Sequence, residues 1–186
     1  MFVEHEFLNR FAIARGKGFG AVEIQFPYDY NAADLSSAKD DAGVEITVIN
    51  IDAGDLVTGG PGIAAFPGRE DKFKSAVEVA YEYANELKPI NVNVLSGCPP
   101  MDLFEREQCL DVLAENLKYA AKAFNNVGTT VLTEAVNTNT RPGFLLSTTA
   151  ESVEIIGRAD HQNLALQYDV FHMHLMEGDL VNTIKT

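Results

Sequence analysis

The chain has 186 residues, 46% of them hydrophobic, and 27 acidic against 14 basic side chains give a formal net charge of −13. That length supports one sizeable core and is short for two, so residues 1–186 are expected to form a single domain. The charge excludes nucleic acid as a partner, because phosphate contacts need clustered Lys and Arg.

No run of about 18 apolar residues is present to span a membrane, and the opening MFVEHEFLNRF lacks the basic-then-apolar order of a secretory signal. Cys98 and Cys109 fit no zinc or redox spacing and read as reduced structural thiols, so a cytoplasmic protein is expected.

In chain order, AVEIQF from Ala21 predicts a first strand, closed by the turn-forming FPYDYN. EITVINI from Glu45 predicts a second, followed by the long loop AGDLVTGGPGIAAFPGRE. Phe73, Val77, Ala80, Ala84 and Leu87 then recur at helical spacing, which predicts a helix over Glu70 to Leu87. NVNVLSG from Asn91 predicts a third strand, and Leu110, Leu113, Leu117, Ala121 and Phe124 place a helix over Leu103 to Phe124. TTVLTEAV from Thr129 and LALQYDV from Leu164 complete five strands. Strands alternating with helices of this length need crossover connections, which means parallel pairing and an α/β fold.

In such a fold function gathers where strands end. Those ends carry Glu23, Asn50 with Asp52, Ser96, Glu134, and Asp169 with His172. Glu134 follows Val131, Leu132 and Thr133, where a buried carboxylate is costly unless it is hydrogen-bonded or bound to a cation. Taken singly, Glu134 reads first as a structural salt-bridge partner or loop-capping carboxylate, and Asp169 as the N-cap of a helix near His172. Taken together, two strand-end carboxylates and an imidazole suit Mg²⁺ or Mn²⁺ better than structural zinc. His172 is then either a ligand or a hydrogen-bond partner of a substrate oxygen, and His5, His161 and His174 read as structural. The glycines of the long loop match no nucleotide-binding fingerprint; that loop reads as a mobile cover, with Arg69 a candidate anion contact.

GFGAVEIQFPYDYN, FPGRE, ENLKYAA, VLTEAVN and QYDVFHM together resemble the hydroxypyruvate isomerase family of xylose-isomerase-like TIM barrels. The resemblance implies a parallel (β/α) barrel that is incomplete here, covering about strands two to six of eight. It implies an intramolecular oxidoreductase of aldose–ketose type that interconverts hydroxypyruvate and 2-hydroxy-3-oxopropanoate (tartronate semialdehyde), or acts on a related oxo-sugar acid.

By the same resemblance Glu134 is a catalytic acid/base and a metal ligand, and Asp169 is a second metal ligand. His172 and Asn137 lie at the substrate, and the cofactor is Mg²⁺ or Mn²⁺. The partner is a small hydroxy-oxo acid. The family's first strand, and the later strands carrying a glutamine ligand and a second catalytic glutamate, have no counterpart in this chain. An open sheet would leave unpaired edges and an interior lined with Val, Ile and Leu. Either a homo-oligomer or a catalytically inactive remnant of the family would follow from that.

Overall fold

A computed structural model describes residues 1–185. The elements run α1 (Asn9–Gly16), β1 (Ala21–Ile24), α2 (Ala32–Ala42), β2 (Glu45–Asn50), α3 (Glu70–Leu87), β3 (Asn91–Val94) and α4 (Arg106–Asn125). They continue with β4 (Thr130–Glu134), α5 (Thr149–Ala159), β5 (Leu164–Gln167), α6 (Val170–Met176) and α7 (Leu180–Lys185). Among the described residues no helix is long and apolar enough to cross a membrane.

Local chemistry explains the helix boundaries. α3 has the predicted limits and buries the predicted face, with Ala76 added. α4 starts at Arg106, three residues later than its apolar pattern suggests. Leu103 and Phe104 turn back on the Pro100 carbonyl, and extended Glu105 forms a capping box with Gln108. Asn31 caps α2, which ends on Gly43 in the left-handed region (φ 64°). Thr148 and Glu151 form a second capping box at α5.

All five strands are parallel and lie in the order β1-β2-β3-β4-β5. Because the order never reverses, this is a barrel-type β/α sheet; a doubly wound sheet would show a switch point. Successive helices α1 to α5 pack each on the next along one face.

Beneath them lies the main core. Ile46, Ile49, Val92, Val94, Val131 and Leu164 come from the strands, and Leu35, Phe73, Leu113 and Phe124 from the helices. A register shift between β1 and β2 places an extra residue on β2, so that Ile46 and Ile49 both reach this core.

The opposite sheet face differs from the expected Val, Ile and Leu lining. There Asn50 pairs in register with Asn93, Asn93 with Leu132, and Glu134 with Gln167. Polar side chains therefore gather on this face near the strand C-terminal ends beside buried Leu132 and Val48, while most of the branched apolar residues of the strands face the helices. Strand alternation sorts the two sets.

Candidate active site

Glu134 is the last residue of β4 and only 6% exposed. Asp169 lies two residues beyond β5 and is the N-cap of α6, its Oδ1 accepting the His172 amide at 3.1 Å. Capping places His172 one turn into α6, with its ring turned back toward β4. One ligand-capable atom from each of Glu134, Asp169 and His172 lies within 4.8 Å of the other two. The cap and the cluster are one arrangement, so the two readings of Asp169 are compatible.

Asn93 supports Glu134 from below. Fully buried on β3, it donates from Nδ2 to Glu134 Oε2 at 3.0 Å and to Asn50 Oδ1 at 3.2 Å. Tyr28 in turn donates to the Asn50 backbone carbonyl at 2.6 Å. This chain of bonds passes from a surface loop to the central carboxylate. Ser96, the strand-end residue that the sequence points to, is buried on the following loop with its Oγ unpartnered among the described residues, and it is Asn93 that reaches the carboxylate. The available signal was an amide standing between Val92 and Val94 in an otherwise apolar strand.

Electrostatics mark the same spot. Burial pushes the Glu134 carboxyl up to about 7, against the lowering effect of the Asn93 hydrogen bond, and the charges of Asp169 and Glu23 raise it further. Glu23, on the edge strand β1, is raised by partial desolvation and then by Asp169. Three carboxylates thus repel one another across the concave face.

Asn137 is fully buried just beyond β4. Its Nδ2 lies 2.6 Å from His172 Nδ1, and its Oδ1 accepts from the Thr140 amide and hydroxyl at 2.9 and 3.1 Å. His172 Nε2 lies 3.9 Å from Glu134 Oε1. Asp52 stands apart, its Oδ1 accepting the Gly54 amide.

The long loop is packed down. Ile63, Ala64 and Ala65 are buried. Arg69 is committed within the loop: it pairs with Asp55 at 3.0 Å, donates to the Gly62 carbonyl and lies 4.1 Å over the Phe66 ring. It is therefore an internal clamp of the loop, its guanidinium engaged by Asp55 and the Gly62 carbonyl where the sequence suggested an anion contact at the site.

Arg141 donates to the Leu56 carbonyl, and Leu145 to that of Gly97, tying the loops after β2, β3 and β4 together. A small apolar cluster of Ala53, Leu56, Val136 and Phe144 fills the space between them.

A parallel β/α sheet of barrel type, with acidic residues gathered at its strand ends, defines the class. Residues 11–185 match the model of the xylose isomerase-like TIM barrel. The chain is 40% identical to hydroxypyruvate isomerase of Escherichia coli, with 99% of this chain spanning 71% of that protein. It is 38% identical to 2-oxo-tetronate isomerase of Cupriavidus necator, with 100% of the chain spanning 71% of that protein.

Among solved structures, a Brucella melitensis protein described as AP endonuclease, family 2 superposes with a TM-score of 0.94 at 35% identity, over 100% of this chain and 71% of that one. The chain belongs to the xylose isomerase-like TIM-barrel family, in its group of hydroxypyruvate and 2-oxo-tetronate isomerases, and is an isomerase-type enzyme.

Proposed function

We propose that the chain interconverts hydroxypyruvate and 2-hydroxy-3-oxopropanoate, or a related oxo-sugar acid such as a 2-oxo-tetronate, by proton transfer through a cis-enediolate assisted by Mg²⁺ or Mn²⁺. The observation that carries this reading is the convergence of Glu134, Asp169 and His172 at the ends of two neighbouring strands.

The residues fit a dication. Glu134 sits buried among like charges, and the Asn93 Oδ1 and Gln167 Oε1 beside it in the sheet are buried acceptors without partners among the described residues. Oxygen donors in that number suit Mg²⁺ or Mn²⁺. Glu134 and Asp169 would hold the ion, and when bound it would offset the negative charge that develops on the substrate's adjacent oxygens.

Glu134 also performs the proton transfer. Its carboxylate takes the proton from the hydroxyl-bearing carbon, the C–H electron pair becomes the C=C bond, and the former carbonyl oxygen takes up the charge. The proton then returns to the neighbouring carbon, while the hydroxyl proton passes to the former carbonyl oxygen. Both carbons of a planar cis-enediolate are open to attack from the same face, so a single carboxylate on that face serves both steps. Epimerisation, by contrast, needs bases on opposite faces.

The same reading makes residues 1–186 one cytoplasmic barrel-type domain whose β1 and β5 edges, unpaired among the described residues, favour self-association. Cleavage of DNA is opposed by the net charge of −13.

The test is incubation with hydroxypyruvate and Mn²⁺ or Mg²⁺ in D₂O, followed by proton NMR. Deuterium entry at the hydroxymethyl carbon and formation of the aldehyde product, both lost in Glu134→Gln, are the expected result. Metal binding without either change would place the chain as a catalytically inactive member of the family.

A further inference from the structure

We propose that Asn137 is a positioning residue that locks His172 in its neutral Nε2–H tautomer, making this histidine a hydrogen-bond donor to a substrate oxygen and removing it from the metal's ligand set. The inference rests on the isomerase reading for the identity of the acceptor; the tautomer itself follows from geometry alone.

Two groups of Asn137 face His172 Nδ1, the backbone N–H at 3.3 Å and the side-chain Nδ2 at 2.6 Å. A backbone N–H can only donate, however the amide is turned. The amide orientation is pinned in its own right, because the Thr140 backbone N–H points at Asn137 Oδ1 from 2.9 Å. Rotating the amide would bring its NH₂ group against that N–H, two donors face to face in a fully buried setting. The Thr140 hydroxyl, 3.1 Å from the same oxygen, accommodates either arrangement and decides nothing.

Nδ1 therefore carries a lone pair already engaged by donors. In a neutral imidazole the proton then resides on Nε2. Nε2 is the nitrogen turned toward Glu134 Oε1, 3.9 Å away, and so toward the reacting centre.

The consequence is chemical. A metal ligand needs a free lone pair, and neither nitrogen offers one, so Glu134 and Asp169 are this chain's contribution to the ion. An Nε2–H group selects an acceptor, such as a carbonyl, a carboxylate or the oxyanion of an enediolate. Its hydrogen bond strengthens as charge builds on that oxygen. Asn137 holds His172 Nδ1 with its Nδ2 and backbone N–H while its Oδ1 is held by Thr140, so its action on the substrate is routed through His172.

The metal-free chain labelled with ¹⁵N-histidine tests this by long-range proton–nitrogen correlation at neutral pH. The His172 signals are identified among the four histidines by their loss in His172→Gln. The expected spectrum has Nδ1 as bare acceptor and Nε2 protonated, and Asn137→Asp, which presents an acceptor to Nδ1, moves a proton onto Nδ1. A wild-type spectrum with Nδ1 protonated overturns the proposal without need of any variant, as does an Asn137→Asp spectrum identical to wild type.

Mn²⁺ titration supplies the second arm. His172→Gln should keep its Mn²⁺ affinity within about threefold of wild type, while Glu134→Gln loses about tenfold or more. Equal losses would make His172 a ligand and overturn the proposal. Neither readout requires turnover, so absence of isomerisation with the tautomer intact would count against the isomerase reading alone.

Discussion

Asn93 and Glu134 are joined by a 3.0 Å hydrogen bond between two buried side chains on adjacent strands, with the Asn93 amide as donor. That bond favours the ionised carboxylate and so holds the pKa of Glu134 down against the effects of burial and of neighbouring charge. Asn93→Ala should destabilise the chain by about 1–3 kcal/mol, because Glu134 and Asn50 are both left short of a donor. It should also push the Glu134 carboxyl above about 7, the value it holds with the bond in place. Denaturant unfolding and a carboxyl-detected NMR titration read the two effects separately.

The pH dependence of stability follows from the same group. Glu134 is raised from 4.5 to about 7, so between those values the folded chain holds a proton that the unfolded chain has released. Its contribution is full below pH 4.5 and is lost as pH rises through about 7. The metal-free chain should lose on the order of 3 kcal/mol across that window from this residue. Glu134→Gln should flatten most of the slope, and Glu23, raised in the same direction, should supply the remainder. Unfolding free energies measured at intervals over this range, with chelator present, check both statements.

Asp169 allows its two roles to be separated. Asn is as good an N-cap as Asp, so Asp169→Asn should leave stability within about 0.5 kcal/mol of wild type, whereas Asp169→Ala should cost about 1 kcal/mol. Both remove the carboxylate charge from the cluster. Thermal unfolding of the two variants without metal distinguishes cap from ligand.

Gly97 closes the loop assembly over the strand ends. It has φ 83°, and a Cβ there would lie 2.4 Å from the Pro61 carbonyl oxygen. Gly97→Ala should therefore destabilise by more than about 1 kcal/mol and loosen the Pro61–Cys98 and Gly97–Leu145 backbone bonds. Hydrogen exchange at the Cys98 and Leu145 amides reads that local opening.

The sheet and its two long helices were legible in the sequence because apolar spacing reports directly on which side of an element is buried. The same logic marked Glu134 and Asp169, since each ends an apolar run with a carboxylate. Asn93 was not marked, because its role depends on cross-strand register, and register is decided by pairing partners far away in the chain. Arg69 was misread for a related reason: a free-looking loop cation finds its anion in Asp55, fourteen residues earlier, only once the loop folds on itself. The bond from Asn137 to His172 joins residues 35 positions apart and likewise has no local signature.

Mn²⁺ binding followed by electron paramagnetic resonance tests the central claim most directly, that Glu134 and Asp169 grip one dication between them. The account predicts one bound ion per chain, with affinity reduced about tenfold or more in both Glu134→Gln and Asp169→Asn. Wild-type affinity retained in either variant, or no binding by the unaltered chain, would contradict it.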